Sequence, residues 1–116
     1  MPPYIYFIFS ALAISATTGC PKQFLTAANR CFKAVPFLTD QKSASAICQL
    51  FGTKLVRFLH PHEVDIVIGE FKKYGASEFW FEVEENHFGK LSVETKRFFT
   101  SDSPAALACM ALNDEA

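Results

Sequence analysis

Residues 39–55 carry the clearest pattern of apolar residues, a helical spacing that is followed by a strand-like one. Four residues of this stretch recur on one helical face: Ala44, Ile47, Cys48 and Phe51. Asp40 is a favourable N-cap in front of them, and Gly52 stands where a left-handed residue commonly ends a helix. An alternating apolar pattern then runs from Lys54 to Leu59. The pattern predicts a short amphipathic helix that buries its cysteine-bearing face and is turned by glycine into a strand.

A second helix is predicted to start at His60-Pro61, because proline suits the first helical turn, and to end at Tyr74-Gly75. Its predicted core face consists of Val64, Val67, Ile68 and Phe71. Its predicted solvent face consists of Glu63, Asp65, Glu70, Lys72 and Lys73. This separation of apolar and charged positions is typical of a helix that packs on a core.

Strand-like segments lie before and after the two helices. A hairpin is predicted from strands at residues 22–25 and 31–35, and Pro36 is expected to end the second of them. The later predicted strands are residues 78–83, 89–93, 96–99 and 106–112. A hairpin, two helices and then several short strands form an α+β pattern.

The first 19 residues differ from the rest of the chain. Residues 4–16 are an uncharged apolar run, shorter than the roughly 20 residues that span a bilayer, and small residues follow it. This favours a secretory signal peptide over residues 1–19, cleaved after Ala16 or Gly19, with an uncleaved anchor as the alternative. Residues 20–116 are then expected to form one extracellular domain with no membrane span. Four cysteines in an oxidising compartment favour disulfides over metal ligands or nucleophiles.

Composition supports a single folded domain. The chain has 116 residues, half of them hydrophobic and thirteen of them Phe, which favours a packed core over disorder. A net charge of −1 without a long basic run argues against nucleic acid as a partner. Trp80, Phe51 and Leu55 are expected to belong to the structural core.

An ordered set of short motifs resembles the C-type lectins and C-type-lectin-like domains. The motifs are Cys20-Pro21, Cys31-Phe32-Lys33, the Thr39–Cys48 helix, Phe51–Leu55, His60–Glu63, Phe79–Val83 and Cys109–Leu112. Trp80 matches the tryptophan of the family's Trp-Ile-Gly-Leu, whereas Glu82 replaces its glycine. The resemblance implies an α+β, C-type-lectin-like fold with an N-terminal hairpin, two helices and small antiparallel sheets stapled by disulfides.

The resemblance also assigns roles to the cysteines. Cys20 and Cys31 correspond to the extra N-terminal bridge of the long-form domains, and that bridge would close the predicted hairpin. The family pairs the cysteine at Cys48 with the last cysteine of the domain and the one at Cys109 with the cysteine before it. Those partners would lie beyond Ala116, so the resemblance implies a domain that is C-terminally incomplete by roughly two strands. The alternatives are that Cys48 and Cys109 are free, pair with each other or pair between molecules.

No family-type calcium site is expected. Sugar-binding relatives hold calcium on Glu-Pro-Asn or Gln-Pro-Asp, because calcium needs six to eight oxygen ligands. Here Pro104 lies between Ser103 and Ala105, and alanine has no side-chain oxygen. Asn113-Asp114 follows Cys109 too closely to match the family's later Asn-Asp pair. No other cofactor is predicted.

Two further chemistries are weaker alternatives. Zinc binding would use three scattered histidines, His60, His62 and His87, which are better interpreted as surface or cap residues. Glycoside hydrolysis would use Glu82, Glu84 and Glu85, which are better interpreted as a solvated strand end. The chain is therefore not expected to be an enzyme.

The resemblance implies a secreted, non-catalytic recognition module that binds a carbohydrate or protein ligand without the usual calcium site. Its specificity is expected to come from the loop region Glu84–Pro104, because loops on a rigid scaffold carry recognition. The alternatives are a small secreted hydrolase or inhibitor of an unrelated family, and a truncated domain with no independent function.

Overall fold

Seven strands and two helices make up the part of the chain that the structure, a computed structural model, describes: residues 20–27 and 29–111. The strands are β1 (Leu25–Ala27), β2 (Arg30–Thr39), β3 (Thr53–Leu55), β4 (Glu78–Glu84), β5 (His87–Ser92), β6 (Phe98–Phe99) and β7 (Ala105–Ala111). The helices are α1 (Gln41–Leu50) and α2 (Pro61–Tyr74). The expected signal peptide and Asn113-Asp114 lie outside the described residues.

One sheet joins all seven strands in the order β1-β2-β7-β4-β5-β6, with β3 also paired to β7. Every pairing is antiparallel except that of β4 with β7, which is parallel. β7 therefore contacts three other strands and lies at the centre of the sheet. Its residues Ala105 to Cys109 are all buried, as expected for a strand covered on both faces.

Local signals place both helices as predicted. The Asp40 side chain accepts a hydrogen bond from the Ser43 N–H at 2.8 Å and caps α1. Gly52 follows that helix with φ 73°, and Gly75 ends α2 with φ 74°. Both glycines adopt the left-handed conformation that other residues enter at a cost. Among the described residues, neither helix is long and apolar enough to cross a membrane.

The sheet separates two apolar clusters, because alternate residues of β4 and β7 face opposite sides. The first cluster lies under α2, where the Phe71 and Phe79 rings stack with centroids 4.6 Å apart. The second lies under α1 and contains Cys48, Leu55 and Trp80. Each helix thus covers one face of the sheet.

Phe51 does not belong to the core, and its predicted placement there is wrong. Trp80 and Leu55 are buried, but Phe51 is 46% exposed. Phe51 is the C-cap of α1, so the helix ends at this residue and its periodicity no longer places the Phe51 side chain on the core face. Its ring instead lies 5.2 Å from the Lys33 ammonium.

The predicted position of Glu63 is also wrong. Helical periodicity predicts this residue on the solvent face of α2, but its side chain is completely buried.

Pro36 also does not end its strand. β2 continues to Thr39 past a register shift between Val35 and Thr39, where a proline without an N–H is tolerated. The first hairpin strand is Leu25–Ala27, not residues 22–25.

Gly89 is expected to be required where β5 meets β6. A Cβ at this position would overlap the ring of Phe98, which packs edge-on against Phe81. Gly89→Ala should therefore lower the free energy of unfolding by about 1–3 kcal/mol, measured by urea unfolding. Gly69→Ala is the matched control, because its Cβ meets open space on α2 and helix propensity should slightly raise stability. Equal stability of the two variants would contradict the predicted overlap.

Candidate functional site

An open cleft with a volume of about 1080 Å³ is the candidate site. Its walls come from α1, from the start of β2, from β3 and the residues after it, from the end of β4 with the following turn and the start of β5, and from the end of β7. The polar groups that matter most are Lys54, Arg57, Glu82 and Asn86. The cleft therefore lies where these segments converge.

Glu82 is the central group of the cleft. Its backbone N–H donates to the carbonyl of Val56 at 2.7 Å, which ties the end of β4 to the segment after β3. Its side chain is 8% exposed, and its Oε2 accepts from the Asn86 N–H at 3.0 Å. The Lys54 ammonium lies 3.4 Å from Oε1 and the Arg57 Nη2 lies 3.5 Å from Oε2. Two positive charges thus surround one buried negative charge.

Two buried polar atoms of this group lack a hydrogen-bond partner among the described residues: Arg57 Nε and Glu82 Oε1. Lys54 is near enough to Oε1 for electrostatic attraction, but its ammonium is not oriented to donate a hydrogen bond. Buried polar groups are nearly always paired, so each exception calls for an explanation. Both atoms are buried, so this unpaired donor and acceptor lie beneath the surface of the cleft.

A buried ion pair fixes the position of Arg57. Arg30 donates through Nη1 to both carboxylate oxygens of Glu63, at 3.0 and 3.2 Å, and through Nη2 to the Arg57 carbonyl at 3.0 Å. Glu63 Oε1 also accepts from the Leu59 N–H at 2.8 Å. The Arg30–Glu63 pair thus connects β2, the segment after β3 and the start of α2 beneath the cleft.

One exposed aliphatic residue lines the cleft together with these charges. Leu59 is 62% exposed. Leu50 and Val83 are also exposed, but neither of them lines the cleft.

Lys90 forms a separate charged cluster near the loop at residues 100–104. Its buried ammonium contacts Glu78, Ser101 and Ser103 and lies 4.9 Å from the Trp80 ring centroid. Ser103, which precedes Pro104, is therefore engaged by Lys90. This network connects β5 to the loop and has a structural role.

Hydrogen bonds shift two pKa values at helix ends. The Ser43 N–H lowers the pKa of Asp40, and the hydrogen bond to Glu70 raises the pKa of Tyr74. Both groups are exposed residues of the helix termini and do not line the cleft. Their shifts reflect local capping and pairing.

The structure separates the three candidate carboxylates. Glu82 and Glu85 line the cleft, whereas Glu84 is exposed and pairs with His87 at 3.6 Å. The other two histidines lie together at the start of α2, with ring centroids 6.2 Å apart. Within residues 20–27 and 29–111, no three His, Cys, Asp or Glu residues are grouped to hold a metal.

The structure contains two disulfides. Cys20 is bonded to Cys31 across the β1–β2 hairpin, with 5.5 Å between their Cα atoms. Cys48 on α1 is bonded to Cys109 on β7, also with 5.5 Å between Cα atoms. The expectation that Cys48 and Cys109 pair with cysteines beyond Ala116 is therefore wrong, and the alternative that they pair with each other is correct. Cys109 occupies the role that the resemblance gives to the last cysteine.

The expected recognition loop, Glu84–Pro104, is not one continuous loop, because β5 and β6 lie within it. Sequence reasoning also missed Lys54 and Arg57 as members of a site. A usable signal was present: Glu82 falls between apolar residues of a predicted strand, where a carboxylate needs cationic partners.

No protein-family model matches the chain, and no curated protein matches it. Solved structures do match. Human lithostathine is 15% identical with a TM-score of 0.69, covering 85% of this chain and 94% of its own. EMS16, an antagonist of the collagen receptor integrin α2β1, is 15% identical with a TM-score of 0.58, covering 81% and 100%.

Convulxin, a snake venom toxin, is 13% identical with a TM-score of 0.61, covering 79% of this chain and 95% of its own. All three neighbours are C-type-lectin-like domains. At these identities the likeness concerns the fold. Together with the helix-covered, disulfide-bonded sheet, it confirms that this chain has the C-type-lectin-like fold.

Proposed function

We propose that the chain is a secreted, non-catalytic recognition module that binds a carbohydrate or protein ligand in the cleft around Glu82, without a family-type calcium site. The observation that carries the proposal is the open cleft of about 1080 Å³, in whose lining Lys54 and Arg57 flank the Glu82 carboxylate. An open cleft with a few fixed polar groups is suited to orienting a bound ligand. The lectin-like fold supports a binding role.

The neighbours extend this support to protein ligands. EMS16 is an antagonist of an integrin, so its target is itself a protein. Recognition of a protein outside the cell would also agree with the two disulfides of this chain, because disulfides persist in oxidising extracellular environments.

A binding role is preferred to hydrolysis because of where the carboxylates lie. Glycosidases place two carboxyl groups on either side of the scissile bond. Glu82 and Glu85 instead come from the end of β4 and its turn, on the same wall of the cleft. Glu82 is also held by Asn86 and by two cations, an arrangement suited to fixed recognition.

Ligand binding is expected to be independent of calcium. The full chain, exported from a secretory cell line, would be tested on a glycan array and a panel of extracellular proteins, in calcium and in EDTA. Affinity for any ligand should agree within about twofold between the two conditions, because the Glu82 carboxylate is already paired with Lys54 and Arg57 and Pro104 lacks the flanking oxygen ligands of the family's calcium site. Loss of binding in EDTA would contradict calcium independence, and failure to bind either panel would contradict the proposed function.

The same exported material tests the signal peptide. N-terminal sequencing should find a chain beginning at Thr17 or Cys20, as expected for cleavage after Ala16 or Gly19. A secreted product that begins at Met1 would contradict cleavage.

A further inference from the structure

We infer that four oxygen atoms on β4 and in the loop at residues 100–104 form a cation-binding site, and that the chain fills this site itself with the ammonium of Lys90. The tethered ammonium does for the loop what a bound metal ion would do, since it holds oxygen atoms from separate segments together. This inference does not depend on the proposed function or on the ligand of the cleft.

The ammonium of Lys90 is surrounded by oxygen atoms that act as acceptors. Its Nζ donates to Glu78 Oε2 at 3.2 Å, to the hydroxyls of Ser101 and Ser103 at 2.8 Å each, and to the Ser103 carbonyl. An ammonium has three hydrogens, so four contacts exceed its number of donors. A carboxylate and a backbone carbonyl are also the oxygens that hard metal cations prefer. The four atoms therefore resemble the ligands of a cation more than the partners of single hydrogen bonds.

The sheet closes the site from below. Lys90 on β5 is paired with Trp80 on β4 and with Phe99 on β6, and its Nζ lies 4.9 and 5.6 Å from the centroids of those two rings. Aromatic faces attract a cation, and the attraction is stronger where water is excluded. The Lys90 side chain has no exposed surface. A buried charge needs this much compensation from its surroundings.

The loop at residues 100–104 needs an anchor because of the path that it takes. It connects β6, at the edge of the sheet, to β7, and both β5 and β4 lie between these two strands. Three strand spacings amount to about 14 Å, and the chain from Phe99 to Ala105 reaches about 20 Å when fully extended. All five loop residues are exposed, so apolar burial does not hold them in place. The Lys90 ammonium therefore fixes the loop to the strands that it has to pass.

The same contacts give a structural reason why a family-type calcium site does not fit here. Pro104 is the proline that the sequence comparison offers for that site, and the carbonyl and hydroxyl of Ser103 beside it already accept from Lys90. A calcium ion at these oxygens would lie close to a buried positive charge, and their repulsion would be weakly screened. The ammonium and a divalent cation therefore exclude each other.

Removal of the tethered ammonium provides the test. Lys90→Ala deletes Cγ, Cδ, Cε and Nζ, which are the heavy atoms of propylammonium. The substitution should lower the Tm of the exported full chain by about 10 °C or more, because four oxygen atoms lose their donor. Propylammonium chloride at about 100 mM should then raise the Tm of this variant by about 5 °C. The unaltered protein, whose site is filled, should shift by less than about 1 °C in the same salt.

Three controls separate cation binding from other effects of the salt and of the substitution. Lys73→Ala removes an ammonium that is mostly exposed on α2, and its Tm should not respond to propylammonium. Tetramethylammonium chloride carries the same charge without an N–H donor, and it should not restore Lys90→Ala. Lys90→Met fills the same space with an unbranched apolar side chain, so this variant should not respond to propylammonium either.

The inference would be overturned if propylammonium raised the Tm of Lys90→Ala no more than tetramethylammonium does. A response of equal size in Lys73→Ala or in Lys90→Met would also overturn it. If Lys90→Ala does not fold alone, its refolding from urea is compared with and without propylammonium, and an unchanged yield would count against the inference in the same way. None of these measurements uses a ligand of the cleft, so their failure is distinguishable from failure of the proposed function.

Discussion

Replacing Cys48 and Cys109 together by alanine is expected to lower the free energy of unfolding by about 4 kcal/mol. The bridge joins residues 61 positions apart, and the loss of unfolded-chain entropy on cross-linking grows with the length of the closed loop. Both cysteines are completely buried between α1 and β7, so the variant also loses packing at that contact. A loss of this size is a large fraction of the net stability of a small domain.

Urea unfolding of the oxidised protein and of the double variant would measure the difference. The paired replacement of Cys20 and Cys31 by serine is the control, because that bridge closes an 11-residue separation and should contribute about 2–3 kcal/mol. If the Cys48/Cys109 variant lost no more stability than the control, the long bridge would not be the stronger constraint.

Glu63→Ala is expected to lower the free energy of unfolding by about 3–5 kcal/mol. Its carboxylate is fully buried and pairs with Arg30, which is itself 12% exposed, so the substitution leaves a nearly buried cation without its counter-charge. It also removes the acceptor for the backbone N–H groups of Leu59 and His60. The penalty for breaking such a pair exceeds the net contribution of the intact pair.

Glu70→Ala on the same helix is the matched control. Glu70 pairs at 3.4 Å with Lys73, which is mostly exposed, and such pairs contribute at most about 1 kcal/mol. Thermal and urea unfolding of both variants would be compared at one pH and ionic strength. A Glu63→Ala protein within about 1 kcal/mol of the unaltered one would show that Arg30 finds another partner.

Features decided within a few residues were predictable from the sequence. Both helices begin and end as predicted because Asp40, Pro61 and the glycines at 52 and 75 act on their own neighbours. The ordered motifs also identified the fold. For the helix ends, the signal and its effect lie within about one turn of the chain.

Features that depend on distant segments were not predictable in the same way. The exposure of Phe51 depends on where α1 ends before the chain enters β3, which helical periodicity does not encode. The burial of Glu63 depends on Arg30, which is 33 positions away. The bond between Cys48 and Cys109 requires β7 to lie under α1, a placement that no local pattern specifies.

The cleft illustrates the same limit. Lys54 and Arg57 lie in and just after β3, and Glu82 lies on β4; the two segments meet through the hydrogen bond between the Glu82 N–H and the Val56 carbonyl. Alternation within β4 indicates which of its residues share a face, but it does not identify the charges opposite them. A buried carboxylate predicts that cations are near without predicting which ones.

The central position of β7 has a consequence for synthesis. This strand pairs with β2, β3 and β4, all of which leave the ribosome before residues 105–111 do. The nascent chain can form its hairpins and helices early, but these parts cannot join into one sheet until β7 emerges. Folding of the sheet is therefore expected to wait until β7 has been synthesised, and pairing across so many residues slows it. Until then, β2 and β4 present open edges that chaperones can bind.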